Sequence, residues 1–261
     1  MTKSTADKLL GVVIPTLGTR ESYFVACLQA LVSERIYLVV VGPEFVQEIL
    51  KRHNLHVDEF VLEDPGDPLA NSINKAVARI PETIPFVSWV GDDDVIHTKT
   101  MLRILEEFST HDDVVVVFGD CDYIDESSRF LWKNQPGDRA AKWLALLPQR
   151  ISQPASAIRY SAWRRVGGLH PTYKLAFDYD LFLRLSRSGR FVYRNATLAS
   201  YRWHPNALSV KSRKESVLEA YKVRSSNRSK LLQVSLLPIE LFIVLATYFF
   251  SLWMRFRLRK L

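Results

Sequence analysis

Cysteine is scarce. Only Cys27 and Cys121 occur in 261 residues, far apart and without metal-ligand or redox spacing, which excludes a cysteine-based centre and is the usage expected in a reducing compartment. A leader pattern is missing as well, because the first apolar run, residues 9–14, is short and ends at Pro15, so no signal peptide is expected. Internal repeats and low-complexity segments are absent, which excludes solenoids and disordered tracts. No long apolar run goes uninterrupted: residues 231–254 have the length to span a bilayer, but Pro238 and Glu240 break them and leave fourteen residues, 241–254. The main body also lacks a basic surplus. The net charge is +7, yet residues 211–261 hold eleven Lys/Arg against three Glu, while residues 1–210 hold 24 basic and 25 acidic side chains. A nucleic-acid groove across the main body is therefore not expected.

What is present is enough for a full core. With 48% hydrophobic and 24% charged residues, the chain reads as one large or two small globular domains. Its first half alternates short β-rich runs (9–14, 36–41, 59–62, 86–90 and 114–118) with amphipathic helical patterns (21–33, 44–53, 69–80 and 98–109). Continuous Val/Ile strands separated by helices predict a Rossmann-like, mostly parallel sheet covered on both faces. Ligands bind such sheets beyond the carboxyl ends of the strands. Thr16, Gly42, Glu63–Asp64 and Asp92–Asp94 all fall at such ends.

The three consecutive aspartates Asp92, Asp93 and Asp94 are the sharpest of these signals. Carboxylates crowded at a strand mouth repel one another unless a cation or hydrogen-bond donors sit among them. Hard oxygen ligands favour Mg²⁺ or Mn²⁺, with Mg²⁺ usually shared with substrate phosphates. A solvated cap before the helix at 98–108 is the plainer alternative. In the second half, 143–147 reads as helical, 151–158 as extended and 179–186 as helical. Asp178 or Asp180 would then stand at a helix N-terminus, where a carboxylate is favoured, so a plain cap is the alternative reading for one of the two.

After residue 209 the chain changes character, to a basic linker, the apolar stretch and a basic end. Gln233, Glu240, Thr247 and Ser251 recur at helical spacing and predict one thin polar face. A helix of this kind suits membrane contact, inserted or lying in the interface, on the cytoplasmic face of a membrane. Packing on the chain's own core or on a second subunit is the alternative.

In six ordered segments the chain resembles a family 2 glycosyltransferase with the GT-A fold, over about residues 10 to 209. Val12-Val13-Ile14-Pro15-Thr16 resembles the opening strand, whose end contacts the nucleotide, and Ala70-Asn71-Ser72-Ile73-Asn74-Lys75-Ala76 the donor-side helix. Phe86 to Asp94 is similar to the strand leading into the Asp-x-Asp signature, and Gly119 to Asp125 to the segment that follows. Val166-Gly167-Gly168-Leu169 with Phe177 to Leu185 resembles the acceptor-side segment that holds the catalytic base. Tyr201 to Ser209 is similar to the closing Arg-x-His element.

The resemblance implies a nucleotide-binding half over about 1–125 and an acceptor half over about 126–210, to which residues 211–261 add the basic linker and membrane-associating helical tail. It implies a nucleotide-diphosphate sugar donor, Mn²⁺ or Mg²⁺, and inverting transfer of one sugar to a glycan, and the tail adds the expectation that this glycan is lipid-linked. Asp94 would be the direct metal ligand, with Asp92 and His204 as further ligands and Asp93 on the donor ribose or the metal's water shell. Pro15, Thr16, Asp64 and Asn74 would face the donor; Asp178 would be the base, with Asp180 the alternative.

There are departures. The second strand ends Val40-Val41-Gly42-Pro43, without the family's acidic residue, leaving Asp64 or Asp67 to substitute. The Gln-x-x-Arg-Trp signature of processive synthases is absent. The loop Thr16-Leu17-Gly18-Thr19-Arg20 lacks the Gly-rich pattern of a sugar nucleotidyltransferase, the third alternative after a non-catalytic nucleotide-sugar-binding partner.

Overall fold

The computed structural model describes residues 7–204, 207 and 211–258, with 247, 248 and 250–258 described by backbone alone. Pro205, Asn206, Leu208 and Ser209 of the closing motif, the basic residues Arg259 and Lys260, and the side chains of Thr247 and Ser251 lie outside that description. In the first half, strands and helices alternate as β1 (Leu10–Pro15), α1 (Glu21–Ala30), β2 (Ile36–Gly42), α2 (Val46–Arg52), β3 (Glu59–Leu62), α3 (Leu69–Val77), β4 (Phe86–Trp89), β5 (Val95–Ile96), α4 (Thr98–Phe108) and β6 (Val114–Ile124). The strands β1 and β2 are buried along almost their whole length, as parallel strands covered on both faces must be. Successive residues feed opposite cores. Val12 and Ile14 pack with Phe24, Ile49 and Met101 of α1, α2 and α4, whereas Val13 packs with Ile73 and Val77 of α3.

The second half contributes β7 (Phe130–Asn134), β8 (Ser156–Arg159), α5 (Tyr160–Arg165), α6 (Phe177–Leu185), β9 (Arg190–Arg202), α7 (Arg213–Ser226), α8 (Lys230–Ser235) and α9 (Leu237–Leu258). The sheet runs β3-β2-β1-β4-β8-β6-β9-β5, with β7 on the side of β6. The strands β3, β2, β1 and β4 are parallel, β8 is antiparallel to both its neighbours, and β6 and β9 are parallel.

Several local expectations change. The helix predicted over 143–147 is a 3₁₀ turn, Ala141–Trp143, followed by further turns, because Pro148 disfavours helical backbone at the residue before it. The extended run predicted over 151–158 opens as a 3₁₀ turn at Gln153–Ala155 containing Pro154, and only Ser156–Arg159 pairs. The predicted strand 114–118 continues to Ile124 through register shifts around Gly119 and Asp120. There a Cβ on Gly119 would stand 2.5 Å from the Ala196 carbonyl oxygen, so the bulge requires glycine. Neither β7 nor β9 was legible as a strand.

The tail is not a linker followed by one helix. Residues 213–226 form α7, which buries Val223 in the core shared with α6. The expected polar face is interrupted, since Gln233 belongs to α8 and Glu240 to α9, with a turn at Leu236 between them. Both side chains point inward. Gln233 Nε2 donates to the Ser225 and Arg228 carbonyls at 2.7 and 3.1 Å, and Glu240 is clasped by Arg224 and Arg228, each at 2.7 Å.

Candidate active site

Strand pairing assembles the site. Val95 pairs with Ser200 and Ile124 with Arg202, which brings residues 202–204 against the aspartate turn that follows β4. The Arg202 backbone N–H donates to Asp94 Oδ1 at 2.7 Å, and its guanidinium reaches the Asp93 and Asp125 carbonyls. From the other side the β1 end arrives. The Thr16 hydroxyl donates to Asp92 Oδ2 at 2.7 Å and accepts the Gly18 N–H, while Pro15 ends β1 half-buried. Arg20, just before α1, places Nη2 2.8 Å from Asp92 Oδ1 and Nη1 2.5 Å from Asp93 Oδ2. His204, 2% exposed, sets Nε2 2.8 Å from Asp93 Oδ2 and 2.8 Å from Arg20 Nη1.

The three carboxyls differ. Burial, then the Asp93 charge, pushes Asp94 well above the usual carboxylate range against the Arg202 N–H. Burial also raises Asp92 against the Thr16 hydrogen bond. On Asp93 burial acts upward too, but the His204 hydrogen bond and the Arg20 charge outweigh it and hold the group low.

A cavity of about 540 Å³ opens beside this cluster, lined among others by Asp94, Trp89, Gln149, Asp178 and Trp203. Its aromatic wall includes Trp132 stacked on Tyr123, with ring centroids 4.4 Å apart. Asp178, in the first turn of α6, accepts from Gln149 Nε2 at 2.9 Å and from the Tyr179 N–H at 2.8 Å. Burial nonetheless raises its carboxyl above the ordinary value. The far wall is formed by the tail, through Arg213, Ser216 and Ala220 of α7 and Ile243 of α9.

The other expected residues stand apart. Asp180 does not line the cavity; it is paired with Arg184 at 2.7 Å, whose guanidinium also holds the Val166 and Gly168 carbonyls. Asn74 donates to the Leu169 carbonyl and accepts the Leu169 N–H, at 2.8 and 2.9 Å, tying α3 to the Gly167–Gly168 turn. Asp64 is exposed and ion-paired with Lys75, which also pairs with the half-buried Asp67. In this structure Asn74 and Asp64 are therefore engaged by other parts of the chain.

The expected metal set Asp94, Asp92 and His204 is not gathered on one point. His204 meets Asp93, Asp92 is held by Thr16 and Arg20, and Asp94 by the Arg202 N–H. Among the described residues no three His, Cys, Asp or Glu side chains stand as a ready metal cage. The donor chemistry still fits a hard divalent cation, which needs only one or two protein ligands when substrate phosphates supply the rest.

Three polar atoms also converge without a satisfactory proton arrangement. Nε2 of His204 either donates to Asp93 or accepts from Arg20, so one of its 2.8 Å contacts is unfavourable in either tautomer. Arg20 and Gln149 were not legible as site residues. Arg20 lies in a loop read only for its missing glycines, and Gln149 has no motif around it.

No protein-family model and no curated protein matches the chain. Solved structures do. Residues 1–349 of S. aureus TarS superpose with a TM-score of 0.58 at 14% identity, covering 84% of this chain and 65% of that one. A second S. aureus TarS structure gives 0.60 at 14% identity, with 84% and 39% covered. The mannosyltransferase PcManGT from Pyrobaculum calidifontis, in complex with GDP-Man and Mn²⁺, gives 0.62 at 14% identity, with 91% and 73% covered. The chain thus spans less than two thirds of the length of the TarS structures. What is shared at this identity is the architecture, and the chain carries a GT-A-type fold, a mostly parallel α/β sheet flanked by helices.

Proposed function

We propose that the chain is a divalent-metal-dependent, inverting glycosyltransferase that moves one sugar from a nucleotide-diphosphate sugar to a glycan hydroxyl. The observation that carries this reading is that Asp94, behind β4, and Asp178, at the head of α6, line one cavity beside the Asp92–Asp93–His204 cluster. The fold's likeness to a mannosyltransferase solved with GDP-Man and Mn²⁺ supports it.

Asp93 and His204 are the residues that would hold Mn²⁺ or Mg²⁺, with Asp94, the ligand expected from sequence, next in the same turn, since Asp93 Oδ2 and His204 Nε2 face each other at 2.8 Å. When bound, the cation neutralises charge on the departing diphosphate. Asp178 takes the acceptor's proton as the hydroxyl oxygen bonds to the anomeric carbon and the bond to the diphosphate oxygen breaks on the opposite face. Gln149 and the Tyr179 N–H fix that carboxylate's direction, and the aromatic wall offers stacking surface for sugar rings.

The tail joins this reading because α7 and α9 close the cavity. Leu231, Val234, Leu241, Phe242 and Phe249 are 61–82% exposed on the same tail, and the tail is basic. We read this as a surface lying in the interface of an anionic cytoplasmic leaflet and presenting the cavity to a lipid-linked acceptor. Among the described residues no helix is long and apolar enough to cross a membrane.

Calorimetry with UDP, GDP and dTDP, each with and without Mn²⁺, tests the reading. One nucleotide should bind tightly only with metal, and Asp93→Asn should abolish the metal dependence. Absence of nucleotide binding by folded protein would overturn the reading, nucleotide binding without sugar transfer would favour a non-catalytic partner, and release of pyrophosphate instead of a nucleoside diphosphate would make it a nucleotidyltransferase.

A further inference from the structure

We propose that Arg20 is an exchangeable internal cation: its guanidinium occupies the Asp92–Asp93–His204 cluster until a divalent metal displaces it. This rests on the metal-dependent reading above and adds a residue that reading does not use.

The geometry is specific. Arg20 Nη1 stands 2.5 Å from Asp93 Oδ2 and 2.8 Å from His204 Nε2, and Nη2 stands 2.8 Å from Asp92 Oδ1. One carboxylate oxygen and one imidazole nitrogen therefore converge on one cationic group, at 2.8 Å from each other. With a guanidinium at that point, Nε2 cannot serve both neighbours, because its single proton or lone pair satisfies one contact and opposes the other. A metal ion removes the conflict, since Asp93 Oδ2 and an Nε2 lone pair are both donors to it. The guanidinium and the metal thus exclude each other from the same atoms.

Arg20 is also able to leave. Its side chain is 34% exposed, against 5% for Asp92 and 3% for His204. It extends from the loop before α1 rather than from a strand. A rigid framework arginine in this protein looks different: Arg159 is 5% exposed and donates to the Val114, Phe108 and His111 carbonyls. The exchange links metal entry to the loss of an ion pair, so the metal binds more weakly without nucleotide than the donor set alone would allow.

The test is Mn²⁺ binding to the full chain without nucleotide, followed by calorimetry and by the electron spin resonance of free Mn²⁺, for wild type, Arg20→Gln and Arg20→Lys. Arg20→Gln should bind Mn²⁺ about tenfold more tightly than wild type, within the usual range of coupling between sites, and Arg20→Lys should stay close to wild type. Mn²⁺ should also raise the Tm of Arg20→Gln more than that of wild type, because two carboxylates have lost their counter-ion. Wild type supplies an independent measurement if Arg20→Gln folds poorly. Its Arg20 Nη resonances, assigned by their absence in Arg20→Lys, should broaden into fast solvent exchange as diamagnetic Mg²⁺ is added. Equal Mn²⁺ affinity in wild type and Arg20→Gln, or Arg20 resonances unmoved by saturating Mg²⁺, overturns the exchange alone. No metal binding to either chain without nucleotide overturns the exchange, and the metal-dependent reading falls with it only if nucleotide titration in the same samples also shows no dependence on metal.

Discussion

Asp178 and Asp180 stand two positions apart on α6, yet their partners give them different work. Asp180 is spent on Arg184, which in turn holds the Val166 and Gly168 carbonyls, whereas Asp178 faces the cavity with only neutral donors, from Gln149 and Tyr179. Asp178→Asn should lower kcat by about 10²- to 10⁴-fold, the usual scale for a lost general base, with nucleotide affinity unchanged by calorimetry. Asp180→Asn should instead lower Tm and leave kcat of the folded fraction near wild type. Because burial raises the Asp178 carboxyl, its protonated form favours the native state. That contribution is complete below the unfolded value and is lost as pH rises through the folded one. Asp178→Asn should therefore raise Tm at neutral pH and not at acid pH. The same shift moves the acidic limb of the kcat/KM profile, which reports the free enzyme, upward from the ordinary value of an aspartate. Gly168 shows a backbone demand at this scale: its φ is +68° and a Cβ there would meet Asn74 Oδ1 at 2.6 Å. Gly168→Ala should cost about 1–3 kcal/mol, read by denaturant titration.

At the scale of elements, a buried acid ties α9 to arginines of α7 and of the turn after it. Glu240 is 3% exposed and shared by Arg224 and Arg228, and α7, which carries Arg224, also borders the cavity. Removing one member of such a set leaves charge buried without a partner, so Glu240→Ala should destabilise the chain by about 3–5 kcal/mol. Burial alone would raise the Glu240 carboxyl, and the Arg224 hydrogen bond and charge, with those of Arg228, bring it below its usual value. The stability it contributes is present above the unfolded value and is lost as pH falls through the folded one. Limited proteolysis should accordingly cut the tail first under acid conditions. The outward face makes a separate prediction. Leu241→Glu with Phe242→Glu, at positions 61% and 72% exposed, should abolish sedimentation with phosphatidylglycerol vesicles while nucleotide binding and Tm stay unchanged. Retained sedimentation would remove the membrane from the proposal.

For the molecule as a whole, the first half was legible because its physics is local. Strands such as Ile36–Gly42 are continuous apolar runs, the helices between them repeat apolar residues at helical spacing, and the strand 59–62 was placed to the residue. The aspartate turn, the head of α6 and the parallel β1–β4 sheet followed from the same signals. The second half resisted because its elements depend on partners far away. β9 runs Arg190–Arg202 with an uneven burial pattern and exists through its pairing with β6 and β5. Pairing is not written in a strand's own residues. The tail was read as polar and apolar stretches, but Glu240 turns inward because two arginines, twelve and sixteen residues earlier, are buried beside it. The sequence by itself determined the α/β architecture, the acidic strand end and the basic apolar tail, since composition, periodicity and strand ends need only near neighbours. Tertiary structure alone decided that His204 meets Asp93 rather than Asp94, that Arg20 sits between two aspartates, and that Asn74 meets Leu169 and Asp64 meets Lys75. Those contacts join side chains up to 184 residues apart, and only strand register brings them within hydrogen-bond reach.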